Sequence, residues 1–126
     1  MTVTPMYAAL LALFFIFLSI RVVGARRRGK VAIGDGGDKT LLRRIRVHSN
    51  FSEYAPFALV LMAISELAGA AGWQLHAIGA MLLAGRVLHF FGFGADPERM
   101  PLRVLGMVLT FSAILGGALA NLATLL

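Results

Sequence analysis

Residues 3–23, 73–93 and 102–126 form three stretches long enough and apolar enough to cross a bilayer, each with at most one or two charges. A fourth apolar stretch, 54–72, is shorter but continues without a break from a polar helix before it. With 126 residues, 59% of them hydrophobic, the chain is long enough for one domain. The expectation is an all-α integral membrane protein, a bundle of four transmembrane helices with spans near 3–23, 43–72, 73–93 and 102–126. The connections are short, so consecutive helices pack as antiparallel neighbours.

The basic residues set an orientation. Arg26, Arg27, Arg28, Lys30, Lys39, Arg43, Arg44 and Arg46 all lie between the apolar stretches 3–23 and 54–72. Arg99 and Arg103 lie between the third and fourth spans, whereas the turn at 70–73 and both termini carry no lysine or arginine. The positive-inside bias then makes the first and third connections cytoplasmic and places both termini on the other side. The net charge of +6 follows from this topology and from contact with anionic headgroups, so it calls for membrane lipids and not nucleic acid. The first span has no basic region before it and no small-residue cleavage site after it, and reads as a retained span.

Several chemistries are excluded. There is no cysteine, hence no disulfide, thiolate metal site or cysteine nucleophile. Three scattered histidines without an acidic cluster make no metal site. The Gly34-Asp35-Gly36-Gly37-Asp38 run lacks the lysine and hydroxyl that a phosphate-cradling loop needs, and reads as a mobile turn with Asp38 or Thr40 capping the next helix. The pair Gly116-Gly117 permits close helix contact in the fourth span.

The candidate site starts on the second helix. Arg46, Asn50, Glu53 and Tyr54 fall at i, i+4, i+7 and i+8, which places them on one stripe. Polar groups near hydrocarbon are costly and face a bundle interior or a wet cavity, so this stripe has the character of a binding site. A helix over 41–70 would be about 45 Å long, so its first turns protrude into the interface, with Pro56 expected to kink it beyond the stripe. Arg86 and His89 lie one turn apart near the cytoplasmic end of the third span, and Arg103 opens the fourth at that same end. All four helices thus bring polar groups to one membrane face, while the other offers only Glu66, Gln74 and His76. Simpler roles stand beside these: an Arg46–Glu53 ion pair, packing for His89, a helix-end anchor for Arg103, and headgroup contact for Arg43 and Arg44. Tyr7 and Trp73 read as interfacial aromatics.

The pattern Arg43-x-x-Arg46-x-His48-x-Asn50-x-x-Glu53, followed by Pro56-Phe57, resembles the second-helix signature of the MAPEG family, the membrane-associated proteins in eicosanoid and glutathione metabolism. Gly85-Arg86-Val87-Leu88-His89 resembles the third-helix motif of its prostaglandin synthase branch, and Pro101-Leu102-Arg103 the start of its fourth helix. The resemblance implies a bacterial-type member in the inner membrane. It implies a homotrimer with glutathione, as cosubstrate, bound between subunits at the cytoplasmic end. Arg46, His48, Asn50, Glu53, Tyr54, Arg86 and His89 would then be ligand residues, and Arg103 would hold the glutathione thiolate against a lipophilic electrophile or hydroperoxide. One position departs from the pattern: family enzymes commonly have tyrosine one turn beyond His89, where this chain has Phe93, which cannot donate a hydrogen bond. The alternative reading is a non-catalytic membrane protein that binds another anion or a lipid headgroup. A proton-coupled exporter is disfavoured, because the first span has no ionisable residue before Arg21.

Overall fold

No water pairs with backbone N–H and C=O groups inside hydrocarbon, so a spanning segment must satisfy them within itself, and helices do so. The computed structural model describes residues 1–126 as α1 (Val3–Gly29), α2 (Lys39–Leu67), α3 (Gly72–Phe93) and α4 (Met100–Ala123). Helices α1, α3 and α4 are long and apolar enough to cross a membrane. Helix α2 has 29 residues, but its first half is polar.

The chain reverses direction at each connection. The α1–α2 and α3–α4 connections share one end of the bundle, the loop end. Both chain termini and the α2–α3 turn share the other. Helices α2 and α3 lie in the middle, and α1 and α4 flank them without touching each other. The core is mostly apolar side chains at helical spacing. Helix α2 contributes Val47, Phe51, Ala55, Ala58 and Met62, packed on Leu11 and Leu18 of α1 and on Leu75, Ile78 and Leu82 of α3.

Helix ends differ from the hydropathy boundaries for identifiable reasons. Helix α1 does not stop near residue 23 but runs through Arg26, Arg27 and Arg28 to Gly29, closing on Lys30 in the left-handed conformation (φ 53°). Arginine is a good helix former, and its charge suits a helix C-terminus. The connection shrinks accordingly to residues 30–38. Of the two capping candidates Asp38 caps α2, its Oδ1 accepting from the backbone N–H of Thr40 (2.8 Å) and Leu41 (3.2 Å). Pro56 does not interrupt the helix. Helix α2 ends at Leu67 rather than 72. Gly69, at φ 87°, turns the chain there while its N–H and that of Ala70 return to the carbonyls of Glu66 and Ser65.

Two residues at the termini end do more than the sequence suggested. Glu66 accepts from the backbone N–H groups of Thr2, of Val3 (2.8 Å) and of Thr4 (2.7 Å), so a carboxylate from α2 caps the start of α1. Tyr7 is not an interfacial aromatic but a buried one, its hydroxyl 3.2 Å from the His76 carbonyl. Asn121 ties α4 to α2 by donating to the Leu61 carbonyl at 3.0 Å.

Helices α3 and α4 make the most intimate contact in the bundle. A Cβ on Gly106 would lie 2.5 Å from the His89 amide nitrogen, and one on Gly85 would lie 2.8 Å from the Gly106 carbonyl oxygen. The Gly116-Gly117 pair contributes less here. Gly117 faces Leu61 of α2, and Gly116 has room to spare.

Candidate functional site at the loop end

The polar stripe of α2 faces outward. Arg46 and Glu53 are exposed, and Asn50 and Tyr54 are half-buried. Positions 47, 51, 55 and 58 take the apolar core; Arg46 and Glu53 lie more than about 90° around the helix from the centre of that face, while Asn50 and Tyr54 border it. Within a single chain Arg46 and Glu53 therefore face neither the bundle interior nor an enclosed cavity. The stripe continues toward the termini end as exposed Phe57, Val60, Ile64 and Leu67. Arg46 and Glu53 do not pair, because the one ion pair in the molecule joins Arg103 to Glu98.

Asn50 connects the stripe to the interior. Arg86, only 2% exposed, donates from Nη1 to Asn50 Oδ1 at 2.6 Å and from Nε to Thr110 Oγ1 at 3.1 Å. Its Nη2 lies 3.3 Å from Met107 Sδ. The Thr110 hydroxyl spends its proton on the Gly106 carbonyl (2.8 Å), which frees its oxygen to accept from Arg86. One buried guanidinium thus joins α2, α3 and α4. It also orients Asn50, whose amide Nδ2 makes no bond within the chain and remains free to donate. His89 is buried as well, tilted against Phe93 at 5.7 Å between ring centroids. Both third-helix residues are turned inward, and any action of Arg86 on a surface ligand passes through Asn50.

Arg103 completes the loop end. Its Nη1 donates to Glu98 Oε1 at 2.6 Å, and its guanidinium lies 4.3 Å from the centroid of Phe93. Phe93 and Glu98 line a cleft with Lys39, Leu42, Arg43 and Arg46 of α2. Arg43 also donates to the Phe93 carbonyl at 3.2 Å, which holds the two helices together at the rim. The cleft holds three cations and a single carboxylate, and that carboxylate is already committed to Arg103.

His48 stands apart. Its Nε2 is 3.0 Å from Ser19 Oγ, and its ring stacks on Phe15 at 4.7 Å, both on α1. It is two positions from Asn50 and about 200° away around the helix, so it does not join the Arg46–Glu53 stripe in this chain. Tyr54 lies edge-on to Phe111 of α4. Glu98 and Thr110 were not anticipated. Their signals were present only weakly: a glutamate five residues before Arg103, and a threonine one turn after the helix-contacting Gly106.

The sequence model of the MAPEG family matches residues 4–123. The chain belongs to the MAPEG family. Similar proteins include the inner membrane protein YecN of Escherichia coli strain K12 and its counterpart in Escherichia coli O6:H1. Each is 44% identical over 120 residues, covering 95% of this chain and 90% of the relative. This MAPEG chain is therefore an all-α membrane protein, and its loop-end residues from Lys39 to Arg103 all lie within the matched region.

Proposed function

We propose that this MAPEG protein binds glutathione at the cytoplasmic face of a bacterial inner membrane and activates its thiol toward lipophilic electrophiles or hydroperoxides. The observation that carries this reading is the cleft. Lys39, Arg43 and Arg46 converge on Phe93, with Arg103 behind it, and no carboxylate of the chain pairs with the first three. Guanidinium forks match the two carboxylates of glutathione. Glu53, exposed and unpaired, suits the γ-glutamyl ammonium, and the free amide of Asn50 suits a peptide carbonyl. A fixed cation such as Arg103 beside sulfur lowers the thiol pKa and raises the thiolate population.

The outward direction of the stripe supports a site completed by a second copy of the chain, in keeping with a homotrimer. Exposed Arg46 and Glu53 would then lie between subunits and away from lipid, where ionised groups are costly. His48 and His89 act in this arrangement by packing and not by ligand contact.

A second reading has its own observation. Glu98 neutralises Arg103, and Phe93 replaces the hydroxyl that would assist it. Both favour an anion-binding membrane protein without thiol chemistry.

Calorimetric titration of the detergent-solubilised protein with glutathione tests the first reading. Saturable binding is expected for the intact protein, with loss of binding in an Arg46→Ala/Glu53→Ala variant. An intact, folded oligomer that binds no glutathione would overturn it and leave the second.

A further inference from the structure

Arg21 on α1 and Arg44 on α2 meet across the helix interface, and no carboxylate answers either of them. Arg44 donates from Nη1 to the Arg21 backbone carbonyl at 3.0 Å, while its Nε is buried with no hydrogen-bond partner. The Arg21 guanidinium lies over the rings of Phe17 and Phe90, at 5.7 and 5.0 Å from their centroids. These contacts hold the cation without neutralising it. The chain has six carboxylates, and all are elsewhere. Glu98 is bound to Arg103, Asp38 caps α2, and the Asp35 side chain accepts from the Gly37 amide. Glu66 is at the far end of the bundle, and neither Glu53 nor Asp96 makes an ion pair.

Two cations brought together in a partly desolvated interface repel each other, and a buried N–H without an acceptor adds to the cost. An anion from outside the chain relieves the repulsion. We propose that the Arg21–Arg44 pair is a binding site for the phosphate headgroup of an anionic phospholipid in the leaflet at the loop end. The pocket between them is narrow, floored by Leu18 and Val47 and walled by Phe90 and Gly94. It admits the oxygens of a phosphodiester at its mouth and does not engulf a whole ligand. Guanidinium pairs with phosphate oxygens in a bidentate fashion.

A lipid fits this position better than a free ion because of what flanks it. Phe17 is 43% exposed, Ile20 65% and Phe91 52%, all at the same level of the bundle, and they offer acyl chains an apolar wall directly below the charges. The site is separate from the proposed glutathione cleft. Arg44 and Arg46 are two residues apart on α2 and point about 200° away from each other. The lipid site therefore does not depend on the glutathione reading, and either can fail without the other.

The test uses full-length protein reconstituted in phosphatidylcholine nanodiscs, titrated with phosphatidylglycerol. Retained lipid is counted by native mass spectrometry, and the thermal midpoint is followed in parallel. Phosphatidylglycerol is expected to remain bound and to raise the midpoint of the wild type. An Arg27→Gln/Arg28→Gln control, which removes the same charge from exposed positions of α1, should respond like the wild type. An Arg21→Gln/Arg44→Gln variant should lose roughly tenfold or more in lipid affinity, the scale of a lost charge-assisted pair. If the double variant does not fold, Arg21→Gln alone is used, because the Arg44 bond to the residue 21 carbonyl survives it. Equal lipid responses in all variants, or none in the wild type, would overturn the proposal. So would a full midpoint shift produced by inorganic phosphate without anionic lipid.

Discussion

Arg103 lies against Glu98 on one side and the face of Phe93 on the other, so the cation proposed to hold a thiolate already holds a carboxylate. A thiolate entering the cleft must displace that carboxylate or share the guanidinium with it. Two substitutions separate these roles. Arg103→Ala should reduce turnover with a lipophilic electrophile by roughly 100-fold, the scale seen when one stabilising donor of a developing anion is removed. It should leave glutathione affinity within a few-fold, because Arg46, Asn50 and Glu53 remain. Equal loss of turnover and affinity would remove Arg103 from thiolate activation. Glu98→Gln frees the guanidinium and should raise the thiolate absorbance of bound glutathione above that of the wild type. Unchanged absorbance would show that Glu98 does not compete with the ligand. At this scale the sequence was informative about residue identity and much less so about direction. Arg86 and His89 are where helical spacing puts them, but spacing cannot say whether a face points to a ligand or to the next helix. The Arg86–Asn50–Thr110 contact answers that only when three helices are packed together.

Among the elements, the α3–α4 pair is held close by backbone rather than by side-chain interdigitation. In hydrocarbon, close approach of this kind is what makes helices associate, since apolar side chains gain little over lipid. The glycine positions therefore differ sharply in what they tolerate. Gly106→Ala would place a methyl group 2.5 Å from the His89 amide nitrogen and 2.7 Å from the Gly85 carbonyl oxygen, so the two helices must separate. The expected cost is about 1–3 kcal/mol, as for overpacking elsewhere. Gly116→Ala meets nothing nearer than Ile78 Cγ1 at 3.4 Å. It should be neutral or stabilising by up to about 1 kcal/mol, because alanine favours the helix. Thermal unfolding of both variants in detergent checks the contrast, and similar midpoints would contradict the packing argument. The helices themselves were legible because hydropathy and length determine a span. Their partners were not, and the glycine pair singled out in the sequence, at 116–117, is not the one that governs the closest contact. The same limit applies to Glu66. Its place near the far headgroup layer followed from topology, but its role as the cap of α1 required the two helix ends to be neighbours.

At the scale of the whole molecule, charge is separated along the bundle axis. All twelve lysines and arginines lie from residue 21 to residue 103 and reach toward the loop end, except where Arg86 is buried below it. The termini end carries Glu66, and that carboxylate is consumed by the first backbone amides of α1. Such an asymmetry orients a membrane protein with its basic end toward the cytoplasm. Both termini should accordingly face the periplasm, and the proposed glutathione cleft and lipid site should share the cytoplasmic leaflet. The chain has no cysteine, so single introduced thiols report without background. Gly34→Cys in the α1–α2 connection and Gly72→Cys at the start of α3 place one thiol at each end. In spheroplasts a membrane-impermeant maleimide should label position 72 and spare position 34 until the membrane is opened. In inverted vesicles the order should reverse. Labelling of position 34 from outside would turn the molecule over and place the Arg46 cleft where cytoplasmic glutathione does not reach it. That result would count against the glutathione reading while leaving the fold and the Arg86 network as they are.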